Sequence, residues 1–399
     1  MKKLLWSLVL CMVCFSLVIP HAVAAGKPDK LYMAVLADMS GPYAPVVGSF
    51  RPGYIDAWNH INETGGIKGV PMEALIRDNG GKVAVGLAQY NEVINMKPKP
   101  LFVDTAFTPL AESLRPRLVE DKVLGIHAGA LVSVYPLANS YAYYPMYDEW
   151  FGFAAKYFKS TWKENRKLRV GILTWDTAFG RAMLTENFFA YLKEIGVELA
   201  GEPQVFGIKD VDVTTQLMKL RSWNTDVLFS CITAGGVLAV KKGLQEMGWD
   251  VPYCANGLDE GTLALDPVTL DGIYVQRAAI SWDEIDHPAM KFLLEQFKKN
   301  NRTDKDKSAF YIIAWINAAV EKKVITEVVE KYGWEGLTTE NLKAAMDRVT
   351  DFLPWGGLMK LTYTAKRPVP SHLRMYKSQK GKLLPVSDWE GVPDFLPTK

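Results

Sequence analysis

The chain is poor in the residues that most often carry catalysis or metal binding. Five of its 399 residues are histidine and four are cysteine. It contains no G-x-S-x-G elbow, no H-E-x-x-H pair and no phosphate-cradling P-loop. His60, His127, His287 and His372 each lack a second histidine or cysteine at ligand spacing. Ser160 and Lys163 fit an S-x-x-K pattern, but they sit in KSTWKENRK, which reads as a solvated loop between lobes. No catalytic residue, metal site or cofactor is therefore nominated. Excess charge of one sign is missing too: 46 lysines and arginines face 44 acids. A nucleic-acid or anionic-membrane partner favours a basic face, so neither is expected.

Long apolar runs are scarce as well. The longest, Leu4–Ile19, follows Lys2 and Lys3 and precedes Pro20 and the small-x-small stretch Ala22-Val23-Ala24. It is shorter than the ~20 residues of a spanning helix. The layout is that of a secretory signal over residues 1–24, which implies a periplasmic mature protein. Cys11 and Cys14 fall inside this run and are read neither as a metal site nor as a redox pair. Removing 24 residues from 399 leaves 375, and the loss of Lys2 and Lys3 takes the formal charge from +2 to about zero. That length favours two lobes over one core. Cys231 and Cys254 remain; export permits a disulfide, and two buried thiols are the simpler alternative.

What is present is a strict alternation. Strand candidates at Lys30–Asp38, 72–79, 100–107 and 123–129 alternate with amphipathic helices whose stripes are Tyr54, Trp58, Ile61 and Val83, Leu87, Tyr90, Ile94. The pattern restarts at Leu168–Asp176 and continues through strands at 197–206, 225–232, 251–257 and 272–280. A more helical stretch and a tail rich in proline and aromatics follow. Two βα series predict an α/β fold of two doubly wound, Rossmann-like lobes. In such sheets ligands settle beyond the carboxyl ends of the strands. Those ends carry Ser40-Gly41-Pro42-Tyr43, Thr105-Ala106-Phe107-Thr108, His127-Ala128-Gly129-Ala130, Trp175-Asp176, Cys231-Ile232-Thr233 and Gly257-Leu258-Asp259-Glu260. Small residues there expose backbone N–H groups, aromatics cover apolar surface, and an acid meets a cation.

MSGPYA with NHINETGGIKG, then RVGILTWDTAFGRAMLTENFFAYLKEIGVELAG, DVDVTTQLMKLRSWNTDVLF and SAFYIIAWINAAV, resemble in order the segments of bacterial periplasmic solute-binding proteins of the branched-chain amino-acid (Leu/Ile/Val) type. The resemblance implies a type I periplasmic-binding-protein fold with a three-crossover hinge. Lobe 1 would comprise residues 29–144 and 279–366, and lobe 2 residues 145–278 and 367–399. It implies clamshell closure on a small molecule, an amino acid or an organic or aromatic carboxylate, and delivery to an inner-membrane ABC permease. Carried over residue by residue, Ser40 and Tyr43 border the cleft. Phe107 and Thr108 stand where a serine-rich loop holds a carboxylate, and Gly129 and Ala130 make a backbone contact. Phe179 covers the ligand, Thr233 adds a contact, and Asp259 or Glu260 meets an ammonium. The chain departs from the family at Leu131, where a threonine is common, and in its thinned Thr-Ala-Phe-Thr loop. Both departures suit a more apolar ligand, one without an amine. A ligand-sensing protein acting through a signalling partner and a secreted hydrolase are the alternative readings. The hydrolase would need a nucleophile and base that meet in the cleft.

Overall fold

The computed structural model describes residues 26–128 and 139–396. The signal segment and the positions Gly129, Ala130 and Leu131 lie outside the described residues.

The first sheet is wholly parallel, in the order β2-β1-β3-β4-β5. Its strands are β1 (Leu31–Ala37), β2 (Met72–Asp78), β3 (Phe102–Ala106), β4 (Leu124–His127) and β5 (Ser140–Ala142). Parallel strands covered on both faces must be apolar on both, and β1 is. Met33, Val35 and Ala37 pack with Tyr54 and Trp58 of the helix Phe50–Glu63. Ala34 and Leu36 pack on the other side with Tyr90 of the helix Val83–Ile94 and Leu114 of the helix Thr108–Glu120. That last helix covers a stretch the sequence reading left unassigned. Leu110, Leu114 and Leu118 make its buried stripe, and Pro109 occupies a first-turn position that tolerates proline.

The second sheet runs β13-β12-β11-β10-β9-β6-β7. It contains β6 (Arg169–Trp175), β7 (Glu198–Leu199), β8 (Gln204–Phe206), β9 (Val227–Thr233), β10 (Tyr253–Gly257) and β11 (Tyr274–Arg277), all parallel. Antiparallel β12 (His372–Gln379) and β13 (Lys382–Pro385) close one edge, and β14 (Glu390–Gly391) pairs with β12. The single strand expected over 197–206 is two short ones. β7 pairs at Arg169–Val170 and β8 at Leu173–Trp175 of the same β6. Pro203 has no N–H to give the ladder there, and a side chain at Gly201 would meet the Trp223 ring at 2.3 Å. Cys231 and Cys254 are free, buried thiols. Cys254 stands opposite Phe229, so the two sulfurs belong to residues offset by two along neighbouring strands.

The chain passes between the sheets three times: after β5 through the helix Tyr147–Thr161, after β11, and between Tyr363 and β12. This is the three-crossover arrangement of the type I fold. The helix Tyr147–Thr161 was not foreseen; its end, Lys159-Ser160-Thr161, lies in the segment expected to be a loop. At the crossovers Arg367 reaches back to Glu149 with two bonds of 3.0 and 2.8 Å.

After the second crossing the chain returns to the first sheet, where the long helix Ala309–Tyr332 lies on Phe50–Glu63. An ion pair with a buried acid and a partly exposed arginine fixes the contact. Asp56, 1% exposed, accepts from Arg302 Nε at 2.7 Å and Nη2 at 2.6 Å and from the Tyr311 hydroxyl at 2.6 Å. Breaking such a pair on one side strands its partners. Asp56→Ala is expected to cost about 3 kcal/mol, read as a lower midpoint in denaturant at an unchanged slope.

Candidate ligand-binding cleft

The turn after β1 is built by one carboxylate. Asp38 accepts from the backbone N–H of Gly41 at 2.6 Å and of Tyr43 at 3.2 Å. Position 41 must lack a side chain, since a Cβ would stand 2.4 Å from that carboxylate. The turn thus projects Tyr43 forward. Across from it, in the second lobe, Thr177 caps a short turn through Gly180 N at 3.0 Å and sets Phe179. A Cβ at Gly180 would lie 2.1 Å from the Trp175 carbonyl oxygen, and one at Gly236 would lie 2.6 Å from the Trp175 ring. Gly180 makes room for the Trp175 backbone and Gly236 for its ring. Tyr43 then meets Phe179 at 6.0 Å and Trp175 at 5.9 Å between ring centroids, both edge-on. The lobes therefore touch through aromatic edges.

Behind this contact lies a cavity of about 90 Å³, several times what one buried water requires. Its walls come from the carboxyl ends of strands in both sheets. Tyr43 follows β1, Phe107 and Thr108 follow β3, and Ala128 follows β4. From the second sheet, Phe179 follows β6, Thr233 ends β9, Asn256–Asp259 end and follow β10, and Gln276–Ala279 end and follow β11. Tyr144, Tyr147 and Trp150 of the first crossover and Phe310 of the long helix complete it. Tyr147 packs on Phe179 at 5.1 Å and Tyr144 on Trp150 at 5.2 Å. Most of the lining is aromatic or aliphatic, as ligand pockets commonly are.

Five polar side-chain atoms of lining residues are buried with no partner: Arg277 Nη2, Gln276 Oε1, Asn256 Oδ1, Thr233 Oγ1 and Trp150 Nε1. Folded proteins pair nearly all such atoms, so five around one cavity mark it as a place built for something polar. Arg277 is 5% exposed. Its Nη1 donates to both oxygens of Glu260 at 2.9 Å. Burial works against the guanidinium's charge, but Glu260 outweighs it and the Arg277 pKa rises. Burial pushes Asp259 up to about 6, with the neighbouring Glu260 charge adding to it. Its oxygens accept from Thr262 N at 2.8 Å and Ala309 N at 3.0 Å, which ties the second lobe to the start of the long helix.

Of the residues proposed from the sequence, Tyr43, Phe107, Thr108, Phe179, Thr233 and Asp259 line this cavity. Ser40 and Glu260 do not. Ser40 is instead engaged with Asp78: partial burial alone would raise the pKa of that acid, but hydrogen bonds beginning with that of Ser40 lower it. Glu260 stands behind Arg277. The sequence reading missed Arg277, Gln276, Asn256 and the aromatics of the first crossover. Arg277 carried a signal, as the one charge in the apolar stretch GIYVQRAAI.

His127, the histidine that ends a strand, is held inside the first sheet. Thr105 Oγ1 lies 2.7 Å from Nδ1 and Ser140 Oγ lies 3.1 Å from Nε2. Burial lowers its pKa to about 4, so the ring is neutral and links β3, β4 and β5. Ser160 donates to the Tyr157 carbonyl on an exposed helix end and does not line the cavity.

The profile described as periplasmic binding protein matches residues 30–381. The chain belongs to the periplasmic binding protein family. No curated protein sequence matches it. Among solved structures, a branched-chain amino-acid ABC transporter protein from Thermus thermophilus with bound valine superposes with a TM-score of 0.82 at 17% identity, over 92% of this chain and 97% of that one. A fatty acid ABC transporter substrate-binding protein from Thermomonospora curvata gives 0.80 at 18%, over 92% and 94%. An R. palustris solute-binding protein in complex with 4-hydroxybenzoate gives 0.76 at 21%, over 92% and 99%. At these identities the likeness is one of fold. Members of the periplasmic binding protein family and these structural neighbours are solute-binding proteins rather than enzymes.

Proposed function

We propose that this periplasmic binding protein is an extracytoplasmic receptor that closes around a compact, largely apolar solute and hands it to an inner-membrane ABC permease. The solute is an amino acid or a related organic or aromatic carboxylate. One observation carries this reading: a cavity walled by strand ends of both sheets, apolar over most of its surface, with five lining residues that each carry a buried, unpaired polar atom. Valine, a fatty acid and 4-hydroxybenzoate are named with the structural neighbours, and all three carry a carboxylate. The lobes divide near Tyr144, Ala279 and Arg367, with the hinge in the crossovers there. Among the described residues no helix is long and apolar enough to cross a membrane, so transport would depend on a separate permease.

A thermal-shift screen over amino acids, aliphatic and aromatic acids and amides tests the reading. A true ligand at about 100 times its Kd adds roughly 2.7 kcal/mol to stability. For a chain of this length that is a clear rise in Tm. Chemical turnover of a panel compound by the protein alone would contradict it.

A further inference from the structure

We infer that the ligand is a carboxylate without an α-ammonium group, held by its anionic end on the free edge of the Arg277 guanidinium. This rests on the receptor reading above and narrows it. Arg277 is fixed by one edge only. Its Nη1 is spent on Glu260, whose Oε1 also accepts from Ser281 Oγ and Trp282 N at 3.2 Å each. Nη2 is buried beside the cavity with no partner. A guanidinium presents its donors as a planar fork that suits a carboxylate. Leaving one charged donor buried and unpaired is costly, and an arriving anion removes that cost. Trp150 Nε1 and the Thr233 hydroxyl, also unpaired, add donors in the same cavity.

The opposite requirement, a charged acid committed to no other group, is poorly supplied. Glu260 is held by Arg277. Asp259 lines the cavity, but both of its oxygens anchor backbone N–H groups and burial works against its charged form. Phe107, Val46, Val47 and Ile313 line the cavity without a charge, so they suit an apolar body. A short, ring-bearing or branched acid fits this division of the site into one anionic end and one greasy end.

Three compounds with one skeleton separate the possibilities: phenylacetate, phenylglycine and 2-phenylacetamide, titrated calorimetrically into the mature protein. Phenylacetate is expected to bind at least about tenfold more tightly than either of the others, a difference of ~1.4 kcal/mol. In Arg277→Gln/Glu260→Gln, which removes the ion pair without stranding a charge, the preference for phenylacetate over the amide falls to near one. Phenylglycine or the amide binding most tightly, or a preference that survives the double substitution, overturns the inference. So does the absence of binding by any of the three. The wild-type ranking alone decides the matter should the double variant not fold. The receptor reading is judged separately: any solute from the wider panel that draws the lobes together keeps it, whichever way the carboxylate test falls.

Discussion

Gly261→Val is expected to weaken solute binding by at least about tenfold, ~1.4 kcal/mol, while leaving the stability of the ligand-free protein nearly unchanged. Gly261 sits in the short helix Glu260–Leu263 of the second lobe, and it faces Pro45, in the short helix Ala44–Val47 that follows the turn after β1 of the first. A Cβ at 261 would lie 2.2 Å from the Pro45 carbonyl oxygen and 3.2 Å from its carbon. Backbone cannot yield as a side-chain tip can, so the lobes must stand apart by roughly an ångström more. That displacement opens the contact of Tyr43 with Phe179 and lets water into the cavity. A form with the lobes apart would not make the Pro45 contact, and replacing a helical glycine by valine is favourable locally by only about 0.3 kcal/mol. Calorimetric titration and thermal melts on the same variant read the two quantities. Unchanged affinity would mean that binding does not require these surfaces to meet.

The second large effect is a gain of stability on mild acidification. Burial pushes Asp148 up to about 6, Glu149 up to about 7 and Asp259 up to about 6. Asp104 on β3 and Glu321 on the long helix are fully buried, and both lie well above the usual carboxyl range. Burial is the main cause, and for Glu321 the neighbouring Asp104 adds to it. Asn317 donates to Asp104 at 3.0 Å, and the two buried carboxyls are neighbours. Unfolded carboxyls titrate near 4. Folding therefore takes up protons between pH ~4 and ~7, and stability falls as pH rises through that window. His127 opposes this. The fold keeps it neutral down to about 4, whereas the unfolded ring protonates near 6.5, so acidification costs stability over that range. Burial also raises Asp38 and Asp283, and lowers His60 and His372 alongside His127, so seven raised carboxyls against three lowered imidazoles set the net sign. Stability should rise by about 1–2 kcal/mol per pH unit from pH 7 toward pH 5.5. Exposed, ion-paired acids such as Glu63 and Glu92, held below their usual values by Lys299 and Arg77, reverse the trend below pH ~4. Asp104→Asn/Glu321→Gln removes the buried pair's titration, so it should be more stable than the wild type at pH 8 and show a shallower slope. Stability that climbs from pH 5 to pH 8 would contradict this account.

The regular parts of the fold were legible because their patterns are local. The helix at Val83–Ile94 and the strand at Leu31–Ala37 follow directly from stripe and apolar run. The crossover helix Tyr147–Thr161 was not legible. It is buried without a break from Tyr147 to Ala155, with acids, glycine and alanines among Trp150, Phe151 and Phe153, so no simple stripe announces it. The cleft divides the same way. Tyr43, Phe107 and Phe179 stand at strand ends, where α/β sheets place ligands, and strand ends can be found from sequence. Arg277 could be seen as an odd charge, but its freedom to bind depends on how Glu260 is occupied by Ser281 and Trp282, a fact of three dimensions. Asp259 and Glu260 looked equally available as acids because their partners are backbone N–H groups and an arginine that no spacing rule connects to them.

The central claim is that the two lobes close on a solute between their strand ends. Spin labels at Val85, on an exposed face of the first lobe, and Met218, on an exposed helix of the second, report the separation between lobes directly. The account predicts a broad or long distance without solute and a shorter, narrower one when a solute from the panel is bound. A distance that stays the same while calorimetry shows the solute bound would contradict it.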